Sequence, residues 1–153
     1  MNDRLREFAR VLQPHLAGDL RLDDMTRALY ATDASMYRMR PEAVLIPKHA
    51  DDVQAAVQAA ARFDLPVLPR GGGSSLAGQT VGEALVIDFT KHLDAILEVD
   101  EAERWVRVQP GLVLDRLNAA LAPRGLMVGP DPASSNRATV GGMVGNNATG
   151  THS

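Results

Sequence analysis

The chain contains no cysteine, which excludes disulfides, thiolate metal sites and cysteine nucleophiles within its 153 residues. No stretch approaches the roughly 18 consecutive apolar residues of a membrane-spanning helix. The first residues, MNDRLREFARVLQPHL, lack the apolar run and small-residue cleavage site of a secretory signal. There is no excess of positive charge. The net charge of -3 offers no bulk attraction to nucleic acid or anionic lipid. Histidine is scarce, and His15, His49, His92 and His152 fall in no metal-ligand spacing. No Ser/His/Asp arrangement can be argued from spacing. Repeats, linkers and low-complexity tracts are missing too. These exclusions leave a cysteine-free globular chain, expected in the cytoplasm and at most peripheral to a membrane through a partner.

Glycine is almost absent from the first 70 residues, where only Gly18 occurs, and the other 12 of 13 lie at or beyond position 71. They concentrate in two segments, PRGGGSSLAGQ at 69–79 and GPDPASSNRATVGGMVGNNATG at 129–150. Glycine is needed where backbone takes positive φ or approaches something closely. Two such segments, both rich in small hydroxyl residues, suggest one elongated anionic ligand held at two places, the shape of a dinucleotide.

The 153 residues suffice for one domain with a real core. Residues 3–17 carry a helical apolar stripe that ends near Pro14 or Gly18. Residues 23–37 read as a short helix and a loop. The run 44–47 is a buried strand, 53–63 an alanine-rich helix started by Asp51 and Asp52, and 65–69 a strand feeding the first glycine segment. This is a small βαβ unit. Strands are expected at 84–89, 93–100 and 104–109, a helix at 111–121 capped by Gly125, a brief strand at 126–128 and a short helix at 139–147. Trp105 shares a strand face with Arg107. The only internal division falls near residue 80, between a small α/β lobe and an α+β lobe. The abrupt stop after a glycine-rich segment reads as a piece of something longer.

In the first segment, Gly71, Gly72 and Gly73 let successive N–H groups converge into a concave nest for phosphate oxygens. Ser74 and Ser75 add hydroxyls. Arg70 is either a source of charge or a surface residue, and a ligand-free tight turn is the plain alternative. The dinucleotide fingerprint G-x-G-x-x-G fails at Leu76. The Walker pattern is approached by Gly73, Gly78, Gln79 and Thr80, but Gln79 stands where lysine is needed and a strand follows instead of a helix. In the second segment, Pro130 and Pro132 hold the chain extended around Asp131. Ser134, Ser135, Asn136 and Thr139 supply polar groups, and Gly141 and Gly142 permit close approach. The plain alternative, a long surface loop, is uncommon without a ligand.

Taken in order, PRGGGSSLAGQ, VIDF, VQPG and the segment 129–150 resemble the FAD-binding domain of the vanillyl-alcohol oxidase / p-cresol methylhydroxylase superfamily. Within it they are most similar to FAD-linked oxidases related to D-lactate dehydrogenase and the glycolate oxidase catalytic subunit. The ending NNATGTHS resembles members fused to an iron–sulfur domain. The resemblance runs from about residue 40 to 153. It implies an α+β FAD-binding PCMH-type fold, truncated at its C-terminus, with residues 1–40 as a helical lead-in and 41–153 as the N-terminal part of the FAD-binding domain.

It further implies that the pyrophosphate lies on Pro69, Arg70, Gly71, Gly72, Gly73, Ser74 and Ser75, with Gly78 and Gln79 nearby. The flavin and ribityl region then lies along Pro130, Asp131, Pro132, Ala133, Ser134, Ser135, Ala138, Thr139, Val140, Gly141, Gly142, Asn146, Asn147, Ala148, Thr149 and Gly150. Pro110 and Gly111 sit near the cofactor. Some members attach FAD through a histidine after the paired glycines. Gly73 or Ser74 occupies that position here, so noncovalent FAD is expected. The implied activity is oxidation of a 2-hydroxy acid such as D-lactate or glycolate, with the electron acceptor undetermined. Substrate-handling residues, and any iron–sulfur cluster, belong to a continuation beyond Ser153. A non-catalytic nucleotide-binding or assembly module, and a Walker-like NTPase, are the competing readings.

Overall fold

The computed structural model describes residues 3–150, so His152 lies outside the described residues. Helix α1 (Asp3–Leu12) forms on the predicted stripe, burying Leu5, Phe8, Ala9 and Leu12. A 3₁₀ turn at Gln13–His15 ends it at Pro14. Strand β1 (Asp19–Arg21) and helix α2 (Asp24–Leu29) follow; Asp23 caps α2 by accepting the Thr26 N–H. Then come β2 (Ala43–Ile46), α3 (Ala50–Arg62), β3 (Val67–Arg70) and β4 (Leu85–Asp88).

These strands form one sheet in the order β1-β2-β4-β3. β4 lies parallel to both β2 and β3, while β1 closes the β2 edge antiparallel. The expected βαβ unit is present, with β4 inserted between its two strands. Every residue of β4 is buried, as a central parallel strand covered on both faces requires. Its Leu85 and Ile87 meet Leu5, Phe8 and Leu12 of α1 and the alanine face of α3 (Ala56, Ala59, Ala60) in one core. Phe8 and Phe63 meet edge to face with centroids 5.8 Å apart.

Asp52 ties this lobe together. It is 2% exposed. Its carboxylate accepts main-chain N–H groups of Ala17 (2.8 Å), Gly18 (3.1 Å), Lys48 (2.7 Å) and His49 (3.2 Å). Burial alone would raise its pKa, but these four donors together hold it below the ordinary aspartate value.

The second sheet is the hairpin of β5 (Ile96–Asp100) and β6 (Trp105–Val108). Helix α4 (Leu114–Leu121) covers it, with Leu117 and Leu121 packed on Val99, Val106 and Val108. The outer face carries Trp105, with the Arg107 guanidinium 5.5 Å from its ring. Gly125, at φ +66, ends the 3₁₀ turn Ala122–Arg124 that extends α4. Helix α5 (Val140–Gly145) is the last helix among the described residues.

Four sequence expectations change. Residues 126–128 form no strand, because no strand lies beside them; the Val128 N–H instead donates to Asn118 Oδ1 of α4. β5 begins at Ile96 rather than 93: residues 93–95 lie outside the strand, with the Leu93 carbonyl accepting the Gly111 N–H. α4 begins at Leu114 rather than 111, because Leu112 and Val113 pair with residues 139 and 140. The lead-in before residue 41 is not purely helical: β1 is part of the first sheet. Among the described residues no helix is long and apolar enough to cross a membrane.

Candidate functional site

β3 delivers the chain to the first glycine loop at the end of the parallel sheet. The second glycine segment comes back over it. A cleft of about 320 Å³ lies between them. From the first loop it is lined by Gly71, Gly72, Gly73, Ser74, Ser75, Leu76, Ala77, Gln79 and Thr80. From the second it is lined by Pro132, Ser134, Ala138, Thr139, Gly142, Met143, Asn146 and Ala148. Among the described residues no charged side chain lines it. A second cleft of about 350 Å³ shares Gly71, Gln79, Thr80, Thr139, Gly142 and Asn146 with the first and adds Leu68, Pro69, Arg70, Phe89, Pro110, Gly141 and Gly145.

Among the described residues, the main-chain N–H groups of Gly72, Gly73, Ser74, Ser75 and Leu76 donate to no protein acceptor. These five successive N–H groups lie on a half-buried to exposed loop, where they are open to water or to a ligand. Such an array attracts negative charge without a cationic side chain.

The first-loop glycines answer chiefly to the other loop. A Cβ on Gly71 would collide with the Thr139 hydroxyl, and one on Gly72 with the Arg137 carbonyl oxygen. Gly73 has φ +65, and a Cβ there would lie 2.8 Å from the Arg70 guanidinium. Gly142 and Gly141 repeat the pattern, the first beside the Thr139 hydroxyl and the second against Pro110. Small residues on both loops thus set how close the cleft walls come.

The second segment is braced by its own lobe, through residues 110–115. The N–H groups of Leu114 and Asp115 donate to the carbonyls of Ala138 and Ser135, and those of Val140 and Gly141 to Leu112 and Pro110. Thr139, 2% exposed, caps α5 by accepting the Gly142 N–H at 3.2 Å. A Cβ on Gly150 would collide with the Asp131 carbonyl, so the two ends of the segment touch.

Several expected site residues do other work. The Arg70 guanidinium donates to the carbonyls of Tyr30 (3.3 Å), Thr80 (3.2 Å) and Thr32 (2.8 Å) and lies 5.2 Å from the Tyr30 ring centroid. Its charge serves the loop's framework. Ser75 Oγ accepts the N–H groups of Ala77 and Gln79. Gly78, at φ +79, sits against the Tyr37 ring. Asn147, at φ 48, takes the left-handed position that ends α5. Gly78, Gly111, Pro130, Asp131, Ala133, Ser135, Val140, Asn147, Thr149 and Gly150 line neither cleft.

Leu68, Leu76, Ala77, Thr80, Phe89, Met143 and Gly145 do line them and were not expected there. All seven fall within or beside the glycine segments or the VIDF run, so neighbourhood alone was the available signal. The Walker-like run leads into a turn and then β4, with the Thr80 hydroxyl bonded to Asp33, so it lacks the helix a P-loop needs. Among the described residues no group of three or more His, Asp or Glu side chains is placed to hold a metal.

Fold and cleft together define a mixed α+β module with an open cleft between two glycine-rich loops. Residues 41–153 match the FAD binding domain family, and the chain belongs to that family. It is 46% identical over 136 residues to D-2-hydroxyglutarate dehydrogenase of Pseudomonas putida, covering 87% of this chain and 14% of the relative. It is 32% identical over 139 residues to glycolate oxidase subunit GlcD of Bacillus subtilis, covering 88% of this chain and 30% of the relative. Among solved structures it resembles alkyldihydroxyacetonephosphate synthase, with TM-score 0.84, 25% identity, and coverage of 95% of this chain and 30% of that one. p-Cresol methylhydroxylase shares its fold, with TM-score 0.72, 15% identity, and coverage of 96% and 30%. The PCMH-type α+β fold expected from the motifs is therefore present.

The residues present fit an FAD. Five free main-chain donors suit a diphosphate, and the two adjoining clefts give an extended path.

Proposed function

We propose that this chain is the N-terminal, pyrophosphate-binding part of a flavin-dependent oxidoreductase that oxidises a 2-hydroxy acid. Residues 1–40 are its lead-in and 41–153 the start of its FAD-binding unit. D-2-hydroxyglutarate, glycolate and D-lactate are the substrates named for its relatives, and they define the class. The observation that carries the reading is the run of unpartnered N–H groups from Gly72 to Leu76, facing a second glycine-rich loop across one cleft.

When bound, FAD supplies the hydride acceptor for the substrate's hydroxyl-bearing carbon. The chain's residues bind and orient. The amides of the first loop hold the diphosphate. Thr139 and the glycines around it set the cleft width, and Pro110 and Phe89 wall the adjoining cleft. With Gly73 and Ser74 where some members carry a linking histidine, the cofactor is held without a covalent bond. The chain has no cysteine, so any iron–sulfur cluster is held by residues outside it. A cytoplasmic location, with electrons passed to a partner, accompanies this reading.

The test is direct. The protein expressed from its complete coding sequence should purify yellow, release FAD on acid precipitation, and lose its colour when a 2-hydroxy acid is added without an acceptor. Colourless protein that takes up no added FAD overturns the reading.

A further inference from the structure

The first glycine loop is gripped from outside the cleft by a segment N-terminal to the family-matched region. The Ala34 N–H donates to the Gly73 carbonyl at 3.0 Å. Asp33 Oδ2 accepts the Thr80 hydroxyl at 3.0 Å and the Thr80 N–H at 3.4 Å, while Oδ1 accepts the Ser35 N–H at 2.8 Å. Arg70, at the root of the loop, donates to carbonyls of Tyr30, Thr32 and Thr80. Root, apex and end of the loop are thus all tied to residues 30–34.

The direction of these bonds matters. In a trans peptide the C=O and N–H point opposite ways. Fastening the Gly73 carbonyl to Ala34 therefore turns the Ser74 N–H away from that segment. A loop with positive φ at Gly73 and five unpaired donors would otherwise sample many conformations, and fixing it in advance removes an ordering cost from binding.

Building on the flavin reading, we propose that residues 30–34 clamp the first glycine loop in its phosphate-binding shape, with Asp33 as a positioning residue that acts through Thr80. Asp33 lines neither cleft. Its bond to the Thr80 hydroxyl links a charged and a neutral group, the stronger kind of hydrogen bond.

The experiment uses the protein from its complete coding sequence, stripped of flavin. Two quantities are measured: the FAD dissociation constant by fluorescence titration, and the rate of tryptic cleavage at the Arg70–Gly71 bond. Asp33→Ala should weaken FAD and speed that one cut, each by about tenfold. Thr80→Val, which removes the hydroxyl that Asp33 accepts, should follow Asp33→Ala on both, and Thr80→Ser, which keeps it, should fall closer to wild type than Thr80→Val on both. This Ser/Val pair decides the matter even if Asp33→Ala fails to fold. Equal behaviour of Ser and Val, or unchanged FAD affinity and cleavage in Asp33→Ala, overturns the clamp. Wild-type protein that takes up no FAD, yet shows the faster cut in the variants, supports the clamp and overturns the flavin reading. Failure of both overturns both.

Discussion

Gly72 sits so close to Arg137 that a Cβ on it would overlap the Arg137 carbonyl oxygen. The two residues belong to different glycine-rich segments, 65 positions apart, and their contact sets the width of the cleft. Gly72→Val should push the segments apart and abolish FAD retention, while far-UV circular dichroism stays near wild type because the main core around Leu45, Leu85 and Ile87 is elsewhere. Undiminished flavin absorbance after purification would refute this.

Asp52 should give the protein an acid-sensitive joint. Its folded pKa is depressed, so its contribution to stability is present above the unfolded value, about 3.9, and is lost as pH falls through the folded value. Urea midpoints should drop steeply below about pH 4 in wild type. Asp52→Ala should cost about 2–4 kcal/mol at neutral pH by leaving four N–H donors without their acceptor, and should flatten the acid limb.

Tyr30 should resist ionisation. Burial is the largest cause, and the hydroxyl's 2.5 Å bond to Asp88 with that residue's charge adds to it, together raising the phenol well above its ordinary value. A raised pKa means that this contribution is complete below about pH 10 and is lost as pH climbs through the folded value. In an ultraviolet titration one of the two tyrosines should ionise only as the protein unfolds in alkali, and Tyr30→Phe should remove that late step.

Leu85→Ala should be among the costly core truncations. Leu85 is fully buried in the central strand β4, between β2 and β3 and beneath α1 and α3. A loss of about 2–5 kcal/mol is expected from denaturant midpoints, with the slope unchanged. A cost below about 1 kcal/mol would mean that β4 is not central.

The hydrophobic periodicity of α1, the alanine face of α3 and the apolar runs of β2 and β4 were legible because each element's pattern follows from its own repeat. The glycine segments were legible as special backbone for the same reason: glycine and small hydroxyl residues announce it wherever they cluster. β1 was not legible. Asp19-Leu20-Arg21 is short and mostly polar, and is a strand only because β2 lies beside it. Residues 126–128 show the converse, an apolar run with strand character and no neighbour to pair with.

What the linear order of residues determined by itself was the family and the α+β class, since these depend on local composition and motif order. Only the tertiary structure decided that Gly71 and Gly72 face the other loop, that Arg70 holds carbonyls, and that Asp33 supports Thr80. Those roles depend on which distant groups come within hydrogen-bonding distance. That is settled when the sheet, the hairpin and the lead-in pack together, and no local pattern of residues encodes it.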